Sequence, residues 1–194
     1  METNASSFPA LERVLNALVA PSATECQAFL ALFSLRPVTK QQLFQAAGDE
    51  ATELCFVNGG LLRMYYTTPE GKELNKSFVL ENQFAAAYSA WLSNTPARFT
   101  IQAMEDTTLL VASLDQVTEM FGRATCWERL GRLLVEQLYQ RKEQREAEFL
   151  LDDAETRYRT FQQRYPGLEQ RITQYHVASY LGITPVALSR IRNR

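Results

Sequence analysis

Residues 174–194 read QYHVASYLGITPVALSRIRNR, and this stretch decides the fold of the C-terminal part of the chain. In a motif of two short helices that starts at residue 174, the places where the helices face each other must be apolar so that the helices can pack together. The chain has Val177, Leu181, Ile183, Leu188 and Ile191 at these places. This agreement predicts a helix-turn-helix.

The turn of this motif has requirements of its own. Ala178 is small enough for the second helix to cross closely, and Gly182 can adopt the positive φ that ends the first helix. Thr184 offers a hydroxyl as N-cap of the second helix, where Pro185 takes the first helical position because its missing N–H costs nothing there. Thr173 is the corresponding cap of the first helix. The turn residues therefore favour the same motif.

The second helix presents polar and cationic side chains on its outer face, which suit the phosphates and base edges of DNA. The residues that we expect to contact DNA are Thr173, Thr184, Pro185, Val186, Ser189, Arg190, Arg192, Asn193 and Arg194. The alternative is an ordinary buried helical hairpin whose cationic face is only solvated.

The charge of the chain is divided unevenly along its length. Residues 156–194 contain seven arginines and one acid, Glu169, so that their local charge is +6. The remaining residues, 1–155, carry a charge of −8, and the whole chain carries −2. A basic module on an acidic body indicates a protein that holds DNA by one end.

Length and composition indicate an ordinary globular protein. The 194 residues are 46% hydrophobic and 22% charged, which is enough to bury a core in one large or two small domains. Apolar runs are far shorter than the about 20 residues of a membrane span. The N-terminal METNASSF carries an acid where a secretory signal carries a base. We therefore expect a cytoplasmic protein with no membrane partner.

Residues that carry chemistry are few and scattered. The cysteines are Cys26, Cys55 and Cys126, which lack the paired spacing of a disulfide framework or a metal site. The single histidine, His176, lies inside the helix-turn-helix, where we expect it at the surface of the first helix. The β-rich body expected at about residues 36–114 has the shape of a cupin, but a metal-binding cupin needs several histidines and a carboxylate. The adjacent acids at 105–106 fall on a turn between strands, where such a pair is usually solvated. The sequence thus predicts no metal, no cofactor and no enzyme active site.

The first part of the chain predicts two helices followed by a β-rich body. Apolar residues recur at helical spacing up to residue 33, and Pro21 separates the two helices. From about residue 36 to residue 114 the period is two, with glycines and prolines between short runs. Within this body, Phe84 to Trp91 has the spacing of a short helix, and strands follow at 99–104 and 107–112. The fold class that we expect here is α+β.

A longer helix is predicted from Thr125 onward. Its apolar positions Trp127, Leu130, Leu134 and Leu138 lie three or four residues apart and line one face. A helix of about 25 residues with one narrow apolar stripe suits the seam of a two-helix dimer. The alternative is that the stripe packs on the β body of the same chain. Asp152 and Glu155 then form a capping box that opens the next helix.

The order of these elements, together with four stretches, gives the chain a resemblance to the Crp/Fnr superfamily of transcription regulators, which is named for the cyclic-AMP receptor protein. The stretches are FVNGGLLRMYY, EGKELNKSFVLENQF, WERLGRLLVEQLY and SYLGITPVALSRIR. The resemblance implies a cyclic-nucleotide-binding-like jelly roll over 1–124, a dimerisation helix over 125–151 and a helix-turn-helix domain over 152–194. It also implies a homodimer that binds double-stranded DNA, with RNA polymerase and a small-molecule effector as further partners.

The chain departs from the family pattern at two sites. Cyclic-nucleotide binders of the family have a Gly-Glu pair after the phenylalanine of their phosphate-binding cassette, whereas Phe84 is followed by three alanines and Tyr88. Cyclic AMP binding is therefore not expected. Val186 stands where many relatives have a glutamate that reads cytosine, and it offers only apolar contact, for example to a thymine methyl. We expect no counterpart of the wing that longer relatives place after the recognition helix.

The predicted ligand pocket of the roll is lined by Phe84, Tyr88, Trp91 and Arg98, which would favour a planar or anionic organic molecule. The alternative is that these rings simply fill the roll. Our leading hypothesis is a homodimeric, sequence-specific DNA-binding transcription regulator. The competing hypothesis is a small-molecule-binding or protein-interaction module whose basic end is incidental.

Overall fold

The computed structural model describes residues 8–193 of the chain. The helices are α1 (Pro9–Val19), α2 (Ala23–Leu30), α3 (Tyr88–Leu92), α4 (Leu114–Phe121), α5 (Thr125–Leu151), α6 (Ala154–Arg164), α7 (Gln174–Leu181) and α8 (Pro185–Arg192), with a 3-10 turn at Leu168–Gln170. The strands are β1 (Ser34–Val38), β2 (Leu43–Gln45), β3 (Glu53–Gly59), β4 (Leu62–Thr67), β5 (Glu73–Val79), β6 (Phe84–Ala86), β7 (Thr100–Ala103) and β8 (Thr107–Ser113).

The strands form two four-stranded sheets with the crossovers of a jelly roll. One sheet has the order β1-β8-β3-β6 and the other β2-β7-β4-β5. In the first sheet, Cys55 of β3 lies between Val111 of β8 and Ala85 of β6, and both pairings are antiparallel. The α+β fold class, with a jelly roll, a long helix and a terminal helix-turn-helix, is confirmed.

The period-two pattern of the first sheet arises because its two faces pack into different cores. Cys55, Val57, Leu109 and Val111 point into the roll, where they pack with Leu62, Phe99 and Ile101. The alternate residues Leu54, Phe56, Leu110 and Ala112 point outward and pack with α1, α2, α4 and the start of α5. The break predicted at Pro21 is confirmed, since α1 ends at Val19 and α2 begins at Ala23.

Two predicted details are wrong. The stretch from Phe84 to Trp91 is not one helix, because its first three residues form β6 against β3 before α3 begins at Tyr88. The cap of α6 is Asp153, whose side chain accepts from the Thr156 N–H at 2.8 Å, so the capping residue is one place later than predicted.

The chain divides into two compact units. The first comprises the residues up to Met64 and Phe78–Glu136, and the second comprises Tyr65–Ser77 and Gln137–Arg194. The second unit therefore combines the β4–β5 hairpin with the C-terminal half of α5 and the helices that follow. The domain boundaries expected at residues 124 and 151 stay a prediction.

Candidate nucleic-acid interface and sensor region

The turn between α7 and α8 has the geometry that the sequence requires. Gly182 has φ +70° and ψ +29°, and its N–H donates to the Ser179 carbonyl oxygen at 3.3 Å. A Cβ atom at Gly182 would lie 2.8 Å from Cε1 of Phe149, so glycine is needed for space as well as for its backbone angle. The Thr184 hydroxyl accepts from the Ala187 N–H at 3.2 Å and caps α8. Thr173 occupies the N-cap of α7 without a side-chain cap bond.

The two faces of α8 have opposite environments. Leu188 is fully buried, whereas Val186 is 63% exposed. The other described residues of the predicted DNA-contacting set are also exposed: Thr173, Thr184, Pro185, Ser189, Arg190, Arg192 and Asn193. Arg194 lies outside the described residues. The helix thus offers an apolar contact at its start and cations towards its end.

Several arginines of the basic segment, residues 156–194, form hydrogen bonds and ion pairs within the protein. Arg164 pairs with the carboxylate of Glu148 and donates to the Tyr180 hydroxyl at 2.8 Å. Arg157 donates to the Leu181 carbonyl oxygen at 3.3 Å and to the Asp152 carbonyl oxygen at 2.7 Å. These two guanidinium groups connect α6 to its neighbours. Only part of the +6 charge is therefore presented to a ligand, which the sequence alone did not reveal.

The β4–β5 hairpin holds α7 by a group of hydrogen bonds. The Asn75 N–H donates to the Ser179 hydroxyl oxygen at 3.0 Å, and this hydroxyl donates to the Glu73 carbonyl oxygen at 3.1 Å. The Asn75 side-chain amide donates to the His176 carbonyl oxygen at 3.0 Å and lies 3.2 Å from His176 Nδ1. The expectation that His176 sits at the surface is wrong, because it is half-buried beside the buried Asn75.

The predicted dimer residues fall into two groups. Trp127 and Leu130 have 0% and 1% of their surface exposed and belong to the core outside the first sheet, where Trp127 stacks on Phe29 with a centroid separation of 4.4 Å. The dimer seam is wrong at these two positions, because side chains without exposed area cannot touch a second chain. Leu134 is half-buried against the same core, and Leu138 is 42% exposed.

Of the residues of the predicted ligand pocket, Tyr88 and Trp91 are in contact, since their rings stack with a centroid separation of 5.5 Å. Phe84 and Tyr88 pack against the core outside the roll, where Phe84 contacts Phe56 edge-on with a centroid separation of 5.1 Å. Arg98 is exposed. Of the four, Trp91 lines a cleft of about 510 Å³ with Glu50 and Asp115, and its indole N–H donates to Asp115 Oδ1 at 2.8 Å.

Small residues close the roll interior beside α3. The residues from this region in the interior core are Ala85, Ala87, Ala90 and Ala97, each at most 7% exposed. The alternate residues of β6, Phe84 and Ala86, point outward, as the period of a strand requires. The run of alanines was visible in the sequence, but which face each residue takes depends on the pairing of β6 with β3.

No group of three or more His, Cys, Asp or Glu side chains within residues 8–193 could hold a metal ion. None of the helices in this range combines the length and the apolar character that crossing a bilayer requires.

Residues 35–124 match the family model of the cyclic nucleotide-binding domain. Among solved structures, the chain is similar to FixK2 from Bradyrhizobium japonicum, with 17% identity, 83% of each chain covered and a TM-score of 0.72. It is also similar to a CooA mutant from Carboxydothermus hydrogenoformans, with 20% identity, 93% of this chain and 82% of that chain covered and a TM-score of 0.71.

A third similar structure is a transcriptional regulator of the Crp/Fnr family from Eubacterium rectale, with 16% identity, 89% of this chain and 82% of that chain covered and a TM-score of 0.69. No curated protein matches the sequence. Residues 35–124 thus match the cyclic nucleotide-binding domain, within a chain whose fold is similar to that of a Crp/Fnr transcription regulator.

Proposed function

We propose that the chain is a transcription regulator that binds double-stranded DNA sequence-specifically as a homodimer, with α8 as its recognition helix. The observation that carries this proposal is the two-sided character of α8. Leu188 is fully buried on one side, while Val186, Ser189 and Arg190 are exposed. A helix anchored in this way can enter the major groove without unfolding the domain behind it.

The exposed residues of α8 would make two kinds of contact with DNA, to base edges and to phosphates. Arg190 can donate bidentately to O6 and N7 of a guanine, and Val186 can contact a thymine methyl. Arg192 and Arg194, nearer the chain end, would serve phosphates. Phosphate contacts position the helix on any duplex, whereas base contacts decide the sequence that is bound.

The dimer would form along the exposed face of α5. Val135, Leu138 and Tyr139 are 47%, 42% and 66% exposed and are spaced so that they share one side of the helix. Pairing this face with that of a second copy would remove apolar surface from water. Recognition helices of such dimers enter successive major grooves about 34 Å apart.

The roll would sense something other than cyclic AMP. The segment from Phe84 to Tyr88 contains no acid to hold a ribose hydroxyl, and its Ala85 and Ala87 pack into the roll interior beside α3. Calorimetry with cyclic AMP and cyclic GMP should therefore give no heat of binding. RNA polymerase and a small-molecule effector of different chemistry are the further partners that a regulator of this kind would have.

The function is tested by selecting duplexes from a random pool and measuring gel-shift affinity for the selected and the random sequence at two salt concentrations. A regulator should prefer the selected duplex and lose affinity for both as salt rises, because bound phosphates release counterions. Failure to enrich any sequence, with no salt-dependent retention, would instead favour a module that binds small molecules or proteins.

A further inference from the structure

Glu169 is the only acidic residue between residues 156 and 194, and the fold holds its carboxylate in place. The Tyr158 hydroxyl donates to its Oε1 at 2.9 Å and to its Oε2 at 3.2 Å, and the Gln162 amide donates to Oε2 at 3.1 Å. Burial and the hydrogen bond to Glu169 raise the pKa of Tyr158, which keeps its donor proton in place. The carboxylate is thus fixed from the side of α6.

This carboxylate faces the last residue of α8. Glu169 Oε1 lies 4.0 Å from Nη1 of Arg192, and their side chains are 22% and 37% exposed. Both residues line an open cleft of about 310 Å³ together with Gln162, Tyr165 and Gly167. The separation is at the outer limit of an ion pair, and the cleft leaves the guanidinium room to move away while the carboxylate stays.

We propose that Glu169 competes with DNA phosphate for Arg192. In the free protein the carboxylate holds the guanidinium, and on DNA the guanidinium moves to a phosphate oxygen. This inference rests on the proposed function, because it places Arg192 at the edge of the DNA interface. Its consequence is a lower affinity for every duplex, since attraction to phosphates does not depend on sequence. The ratio of the affinities for operator and random DNA, which base contacts elsewhere on α8 decide, should stay unchanged.

The test compares Glu169→Gln with the wild-type chain on a random-sequence duplex of about 30 base pairs, long enough for two half-sites one helical turn apart. The amide removes the charge, yet its oxygen can still accept from Tyr158. We expect affinity to increase about two- to fivefold, the range covered by one exposed ion pair. The slope of log affinity against log salt should steepen by up to about one, because rising salt also screens the competing ion pair that only the wild-type chain has.

Glu155→Gln is the matched control. Glu155 lies on α6 and pairs with Arg159, so this variant removes the same charge and releases an arginine outside the cleft. It should change affinity less than Glu169→Gln does. Glu169→Ala, which removes the carboxylate altogether, must tighten binding as well if the glutamine variant fails to fold.

The Arg192→Gln variant shows whether the gain in duplex affinity of Glu169→Gln depends on the Arg192 guanidinium. Adding Glu169→Gln to Arg192→Gln should leave affinity almost unchanged. An equal gain with and without Arg192 would overturn the inference, and so would a Glu169→Gln variant that binds no tighter than a DNA-binding wild-type chain. If none of the variants retains duplex even at low salt, the proposed function fails and this inference fails with it.

Discussion

The guanidinium carbon of Arg145 lies 3.6 Å from the centroid of the Tyr180 ring, and the same group donates to the Tyr180 carbonyl oxygen. Arg145 belongs to the second half of α5, and Tyr180 belongs to α7. Burial lowers the pKa of Arg145, and the ring and carbonyl replace part of the water that it loses. This contact links the long helix to the first helix of the helix-turn-helix.

Replacing Arg145 with alanine should destabilise the second unit. A desolvated cation–π contact is worth about 2 kcal/mol, and the packed stem of the side chain is lost with it. Both tryptophans, Trp91 and Trp127, lie in the first unit, so their fluorescence reports on that unit alone. We expect the urea midpoint from far-UV circular dichroism to fall while the fluorescence midpoint stays.

Arg141→Ala provides the control, since Arg141 is exposed on the same helix. It should leave both midpoints unchanged. An Arg145→Ala chain with an unshifted circular dichroism transition would show that the stack contributes nothing to stability.

Gly182→Ala should both destabilise the helix-turn-helix and weaken DNA binding. Alanine at φ +70° costs more than about 1 kcal/mol, and its Cβ would lie 2.8 Å from the Phe149 ring. Adding Phe149→Ala should recover the steric part of the loss but not the part due to φ. Thermal unfolding of the single and double variants measures the two parts. Equal stability of Gly182→Ala and wild type would contradict both.

Lys76 should make stability depend on alkaline pH. Burial, with repulsion from Lys142, lowers its pKa to about 8 from 10.5. The folded chain therefore holds this proton less tightly than the unfolded chain, so the free energy of unfolding should rise with pH between about 8 and 10.5. Below this window the buried ammonium destabilises the fold.

Lys76→Met should therefore stabilise the protein at neutral pH by roughly 1–3 kcal/mol and flatten the rise. The measurement is urea unfolding at pH 7 and at about pH 9.5, within the window set by the two pKa values. Lys72→Met, on the exposed turn of the same hairpin, is the control. A methionine variant no more stable than wild type at pH 7 would mean that the ammonium is well solvated.

The sequence predicts the local elements of this fold better than the faces that they bury. The turn at Gly182 and the start of α5 at Thr125 agree with the prediction because backbone chemistry and helical spacing act locally. The apolar stripe on α5 did not predict what the stripe packs against. An apolar residue such as Trp127 suits a contact with a second chain as well as the observed contact with Phe29 of its own chain.

The faces and partners of the candidate site residues could not be predicted from the sequence, because they depend on contacts between elements that are far apart in the chain. Phe84 points away from the roll interior because β6 pairs with β3 in a register that turns Ala85 inward. The use of Arg164 against Glu148 likewise depends on how α6 meets α5. Counting charges along the chain finds a basic segment but does not show which of its cations face solvent.

Leu138→Glu should dissociate the proposed homodimer while leaving the protomer folded. Leu138 is 42% exposed, so a carboxylate there is solvated in the monomer and becomes buried only when a second chain covers it. We expect sedimentation to show a monomer with an unchanged far-UV circular dichroism spectrum. Leu134→Glu is less informative, because Leu134 packs partly against the protomer core and its replacement should unfold the first unit. A Leu138→Glu chain that stays dimeric at micromolar concentration would remove this face from the interface.

Arg190→Ala should relax the choice of one base pair without weakening binding to all DNA alike. Arg190 is exposed one place before the half-buried Ile191, so its guanidinium projects from the outer edge of α8, where it can reach guanine O6 and N7. Losing a bidentate base contact costs about 1–3 kcal/mol at one operator position.

Arg194→Ala should instead weaken the selected operator and a random duplex equally, with a shallower salt dependence, because a phosphate contact is sequence-independent. If Arg190→Ala also loses the same affinity on both duplexes, Arg190 holds the backbone, and the base contacts must come from Val186, Ser189 or Asn193.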